Sequence, residues 1–229
     1  MGNRSLASRL SRLSGRRRLA GVLAATLIAT LATGCGGGHS TAPASTSGSS
    51  GAADAASIAW PAPPPDRVIG LVRAAGLVPE TAERLQYHVH THLDVYIDGQ
   101  KRTVPAGIGI VTTDPGVHRG QFAGQPTFGG ITGCDQPCIS PLHTHDVTGI
   151  IHTESATEVD NTLGQLFKEW DVNLGPDCMS QYCAPRTPIA VYVDGSPVPL
   201  ADAPAVALSD QREIAIIIGR PPARIPGRT

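Results

Sequence analysis

No apolar run in this 229-residue chain reaches the ~20 residues that a membrane-crossing helix needs. The longest, residues 19–33, stops at fifteen. Methionine is nearly absent: Met1 and Met179 stand alone, too few for a thioether copper(I) site. Clustered positive charge is missing from most of the chain. Of the 18 Lys and Arg residues, six (Arg4, Arg9, Arg12, Arg16, Arg17 and Arg18) precede Cys35, and no acid does. Beyond Cys35, 12 basic residues face 19 acidic ones, a net of −7. Nucleic-acid binding draws on clustered Lys and Arg to release counterions, so that class of partner is excluded. There is no Gly-x-Ser-x-Gly elbow, no His-Glu-x-x-His and no phosphate-binding glycine loop.

What is present at the front reads as an export signal. An arginine-rich start followed by a short apolar stretch predicts a signal peptide over residues 1–34. Leu31-Ala32-Thr33-Gly34-Cys35 resembles the lipobox of bacterial lipoproteins, which implies lipidation of Cys35 and anchoring to the outer face of the cell membrane. Residues 35–65 begin as Gly, Ser, Thr and Ala and end in prolines, and they read as a tether that cannot bury enough apolar surface to order itself. Cys134, Cys138, Cys178 and Cys183 are an even set in an exported chain, which predicts two disulfides with three connectivities open.

The folded part is expected over residues 66–219, with residues 220–229 as a tail. Asp66 is a candidate cap for a first helix carrying Val68, Leu71, Val72 and Ala75 at helical spacing, with Gly76 at its end. Residues 81–85 are expected to add another turn. From His88 the period becomes two. Val89, Leu93, Val95 and Ile97 take one face, and His88, His90, His92 and Asp94 take the other. Asp98-Gly99 marks a hairpin. Residues 112–136 read as a long loop pinned by cysteines. Residues 142–146 and 149–154 read as two short strands. Thr162 with Gln165 forms a capping-box pattern ahead of Leu163, Leu166, Phe167 and Trp170, the clearest helix in the chain. Residues 189–193 and 213–218 complete the strands. The sum predicts a single α+β domain: a mainly antiparallel sheet with one or two packed helices.

Six of the eight histidines fall in three short segments: His88, His90 and His92; His143 and His145; and His152, followed by Glu154. Histidines two apart on a strand project from the same face, and a neighbouring strand can close a site around them. Neutral imidazole suits zinc, copper, nickel and iron, so the expected ligands of Zn or Cu are His90, His92, His143, His145 and His152, with His88 as a further ligand or outer residue. Asp94, Asp146 and Glu154 are candidates to orient an imidazole or to act as a base. Metal binding is the preferred reading. A metal-dependent hydrolase and a metal-free interaction module with pH-responsive histidines are the alternatives.

The segments His90-Thr91-His92-Leu93-Asp94-Val95, Val104-Pro105-Ala106-Gly107-Ile108-Gly109-Ile110 and Leu142-His143-Thr144-His145-Asp146-Val147-Thr148-Gly149-Ile150-Ile151-His152-Thr153-Glu154-Ser155 carry a wider likeness, continued by Thr162-Leu163-Gly164-Gln165-Leu166-Phe167. Over residues 86–219 the chain resembles a family of uncharacterised exported and lipoprotein-like proteins of bacteria and archaea. That resemblance implies a small exported domain and adds no reaction.

Overall fold

The alternation that starts at His88 builds the longest strand, β1 (Tyr87–Ile97), in a computed structural model that describes residues 60–225. The expected signal peptide, Cys35 and the tether up to residue 59 lie outside the described residues, as do residues 226–229 of the tail. Before β1 comes α1 (Pro65–Ala74), which buries Val68, Leu71 and Val72. Its cap is Pro64 rather than Asp66. Pro65 takes the first helical position, where no N–H is needed, and Asp66 sits in the first turn, where its charge favours the helix dipole. Trp60 is part of the fold, not of the tether. It packs edge-on against Trp170 at 6.0 Å, and its carbonyl accepts from Trp170 Nε1 at 3.1 Å. Residues 81–85 form bends and turns, not helix.

β1 turns at Asp98-Gly99, both at positive φ, into β2 (Gln100–Arg102). Residues 112–136 are not one long loop. They contain a hairpin, β3 (His118–Phe122) with β4 (Gln125–Gly129), turning at Ala123 and Gly124. The disulfide Cys134–Cys138 closes the segment after it, where Ile110, Val117, Ile131, Cys138 and Ile139 form a small second core. Two strands then approach β1: β5, reduced to Leu142–His143, and β6 (Ile150–Ser155).

Helix α2 (Leu163–Glu169) starts at the expected capping box, with Thr162 and Gln165 exchanging hydrogen bonds. It buries Leu163, Leu166 and Phe167, with Trp170 just beyond, against Leu93, Val95, Ile151, Ile214 and Ile216 from the sheet. Burying side chains of this size contributes roughly 1.5–3 kcal/mol each. α1 packs against α2. The remaining strands are β7 (Cys178–Met179) and β8 (Tyr182–Cys183), clipped by the second local disulfide; β9 (Ile189–Val193) and β10 (Ser196–Val198); and β11 (Arg212–Ile218).

The main sheet runs β10-β9-β11-β1-β6-β5, with β2 beside the second half of β1. Antiparallel pairs dominate and helices are few, an arrangement compatible with α+β. One pairing departs from that rule: β1 and β11 lie parallel, Thr91–Ile97 against Arg212–Ile218. Together they place the apolar β11 in the sheet interior, as its run of isoleucines predicts.

Candidate metal centre

Register assembles the site. Antiparallel pairing sets His90 opposite His152 and His88 opposite Glu154, while His143 on β5 faces His152 from the other side. Cross-strand partners share a sheet face, so β1, β6 and β5 present one contiguous row of imidazoles. A slip of one residue would turn half of them into the core. His145 follows β5 on a short connection and turns its ring back to the same place.

Two hydrogen bonds to backbone carbonyls orient the inner pair. His143 Nδ1 donates to Ser140 O at 2.9 Å, and His145 Nδ1 donates to Phe128 O at 2.5 Å. A carbonyl can only accept, so Nδ1 carries the hydrogen in both rings. In the neutral tautomer each Nε2 is then a bare lone pair, and the two Nε2 atoms stand 3.1 Å apart. This is the outer-shell arrangement that metal-ligating histidines use.

Glu154 lies at the centre. Its Oε1 is 3.2 Å from His88 Nε2, 3.4 Å from His152 Nδ1, and 3.8 Å from Nε2 of both His143 and His145. Ligands held tetrahedrally at 2.0–2.1 Å stand about 3.3 Å apart, so these spacings suit a shared ion. His143, His145, His152 and Glu154 form one group whose ligand atoms all lie within 4.8 Å of one another; His88, His90 and His152 form a second. The inner side is dry, with His143 fully buried and Glu154 3 % exposed, while His88 is 34 % exposed.

The electrostatics follow from that burial. Burial pushes the His143 imidazole down to about 3, assisted by the charge of His145 beside it. Burial also pulls His145 down, but the Glu154 carboxylate 3.8 Å away and the hydrogen bond to the Phe128 carbonyl outweigh it, and its pKa is raised. Burial alone would raise Glu154. The imidazoles of His145 and His152 beside it, with the neighbouring charge of His143, instead hold its carboxyl well below the usual carboxylate range. Burial, then the charges of His152 and His88, lower His90.

The structure does not bring every expected residue here. His92 shares the histidine face of β1 but stands four residues from His88, roughly 13 Å along the strand. Its Nδ1 lies 2.7 Å from Glu213 Oε2 and its Nε2 3.1 Å from Thr148 O, so both ring nitrogens are engaged elsewhere. Asp94 pairs with Lys101 Nζ at 2.5 Å. Asp146 accepts from the Thr148 backbone N–H at 2.8 Å and shapes the turn before β6. Neither aspartate meets the cluster. Cys134 and Cys138 lie near Asp114, but both sulfurs are spent in their disulfide.

Glu83 joins the site without any signal in residue order. Its buried Oε1 stands 4.0 Å from His145 Nε2 with no hydrogen-bond partner among the described residues, and the same is true of the buried Glu154 Oε2. A carboxylate in an irregular segment carries no periodicity, and long-range backbone hydrogen bonds, among them Glu83 N to Ile131 O and Glu80 N to Ile139 O, bring that segment to the site. Above the cluster opens a pocket of about 490 Å³ walled by Glu83, His88, His118, Phe128, His145 and Glu154 among others.

No family model, curated protein or solved structure matches this chain. The geometry of the site therefore carries the functional argument. What it establishes is a set of His and Glu clusters able to hold a metal ion. Its two disulfides point to an oxidising, extracytoplasmic setting. No helix among the described residues is long and apolar enough to cross a membrane.

Proposed function

We propose that this protein is an extracytoplasmic lipoprotein, held at the membrane through Cys35, that binds Zn or Cu through His143, His145, His152 and Glu154. One observation supports the metal reading above the rest: two Nε2 lone pairs, each fixed inward by a carbonyl on the opposite nitrogen, face each other at 3.1 Å. Two lone pairs at that distance repel unless a cation stands with them. Without metal only a proton on one of the two rings could serve that purpose, and the raised pKa of His145 favours that ring. A divalent ion would displace this proton and satisfy His143, which burial keeps neutral. Export and anchoring rest on residues 1–35, with the paired cysteines in support.

The test is elemental analysis of the untagged protein. At least one equivalent of zinc or copper is expected, and the double substitution His143→Ala with His145→Ala should abolish tight binding. Substoichiometric metal across zinc, copper, nickel and iron would sink the reading. Cys35→Ser should move the protein from the membrane fraction to the soluble one. The pocket over Glu154 favours a second reading, metal-assisted hydrolysis; hydrolysis of a small ester, amide or phosphate substrate that is lost with Glu154→Gln would establish it.

A further inference from the structure

The cluster offers more donors than one ion takes. A tetrahedral centre uses four, whereas His88, His90, His143, His145, His152 and Glu154 all gather here, with Glu83 at the edge. Their atoms do not form one shell. They form two triangles that meet at a single atom, Glu154 Oε1.

The inner triangle is His143 Nε2, His145 Nε2 and Glu154 Oε1, with edges of 3.1, 3.8 and 3.8 Å. A point about 2.1 Å from all three lies inside it, the bonding distance of zinc to nitrogen and oxygen. The outer triangle is His88 Nε2, His152 Nδ1 and Glu154 Oε1, with edges of 3.3, 3.2 and 3.4 Å. These match the ~3.3 Å edge of a tetrahedral face around an ion at ~2.0–2.1 Å. His90, whose ring sits 4.6 Å from that of His88 and 4.5 Å from that of His152, stands where a fourth ligand would close the outer set.

We propose that the site is dinuclear: an inner ion on His143, His145 and Glu154 and an outer ion on His88, His90 and His152, bridged by Glu154 Oε1. The proposal rests on the metal-binding reading, assigns His152, which belongs to both groups, to the outer ion, and adds a second ion of the same class, an imidazole-preferring divalent transition metal. A shared carboxylate oxygen places such ions ~3.5–4 Å apart. Two cations at that separation repel, and the site supplies negative charge where it is needed. Glu154 lies between them, and Glu83, whose buried, unpartnered Oε1 stands 4.0 Å from His145 Nε2, adds a second carboxylate beside the inner position. The two ions differ in access. The inner one is enclosed by a fully buried His143 and by rings locked to carbonyls, so it should exchange slowly. The outer one sits on exposed His88 and His90, with His88 and His152 in the pocket wall, and should exchange fast.

The experiment loads the full exported protein with Zn²⁺ and with Cu²⁺ by equilibrium dialysis, then measures stoichiometry and, for copper, the electron paramagnetic resonance spectrum. Wild type should hold two equivalents, and two copper ions this close should show the half-field transition of a coupled pair. His88→Ala with His90→Ala removes exposed side chains and should leave one equivalent, with the half-field signal gone and a single-ion spectrum in its place. A chelator should strip the outer equivalent at least tenfold faster than the inner. One equivalent in wild type, whatever the double variant does, overturns the second ion and leaves the single-metal reading standing. Two equivalents without coupling place the second ion elsewhere and overturn the bridge. No metal in any form overturns both. The wild-type spectrum needs no variant, so a substitution that unfolds the chain does not rescue the proposal.

Discussion

Glu169 is the residue whose chemistry contrasts most with the metal centre. It is buried at the end of α2, with Oε1 2.5 Å from Ser140 Oγ and Oε2 without a hydrogen-bond partner among the described residues. Burial pushes its carboxyl up to about 8, and the Ser140 hydrogen bond only partly opposes this. At neutral pH Glu169 is therefore a neutral acid, and it places no charge behind His143, whose Nδ1 is held by the carbonyl of the same Ser140. The pH dependence has a definite sign. Between the ordinary value of 4.5 and about 8, the folded chain holds a proton that the unfolded chain has released. Stability then falls as pH rises through that window, by up to about 1.4 kcal/mol per pH unit from this group, and levels off above it. Glu169→Gln keeps a neutral side chain of the same shape. Urea denaturation in chelator at pH 5, 6.5 and 8 should show the variant gaining on wild type as pH rises; parallel curves would mean that Glu169 is not held neutral.

Among the elements, the β3–β4 hairpin has the role that its sequence least suggests. Its last residues make a two-way contact with the site: Phe128 N donates to His145 O at 2.9 Å, and Phe128 O receives His145 Nδ1. Gly129 completes the fit. A Cβ there would stand 2.9 Å from His145 Nδ1, closer than side chains tolerate, so the bare backbone is what lets the ring lie flat on the hairpin. Gly129→Ala should leave the fold nearly as stable, because the ring that must move, His145, is 21 % exposed and lies at the pocket wall rather than in the core. It should re-aim His145 Nε2 and weaken metal binding ~10–100-fold, the range seen when outer-shell support of a ligand is lost. Competition against a chelator of known affinity measures this; unchanged affinity would show that the hairpin merely covers the site. The β1–β6–β5 ladder is the complementary device, since its register alone sets His90, His152 and His143 in one row.

Across the whole molecule the two disulfides are local, Cys134–Cys138 and Cys178–Cys183, and neither ties distant elements together. Closing loops this short removes little freedom from the unfolded chain, about 2 kcal/mol per bridge on the chain-entropy account. Reduction should lower unfolding stability by roughly that much each and leave the metal ligands in place, since the main sheet and its helices form a separate core. Urea denaturation with and without reductant checks the first part, and zinc stoichiometry under reductant the second. Complete loss of metal on reduction would mean that the small core around Cys138 holds the site together.

Much of this protein was legible from residue order, because local patterns are set by local physics. The alternation through β1, the capping box of α2, the Asp-Gly turn and the apolar β11 all follow from side-chain periodicity and backbone preference over a few neighbours. The same alternation put His88, His90 and His92 on one face. It could not separate His92 from the other two, because that depends on where β6 stops pairing and on Glu213, 121 residues away. It hid the β3–β4 hairpin, whose glycines and polar residues read as loop until tertiary packing pairs them. It left the disulfide partners open and overlooked Glu83. Residue order determined which groups have metal chemistry to offer. Long-range strand pairing and loop packing decided which of them meet, since convergence on Glu154 Oε1 is a property of three strands and a loop brought together.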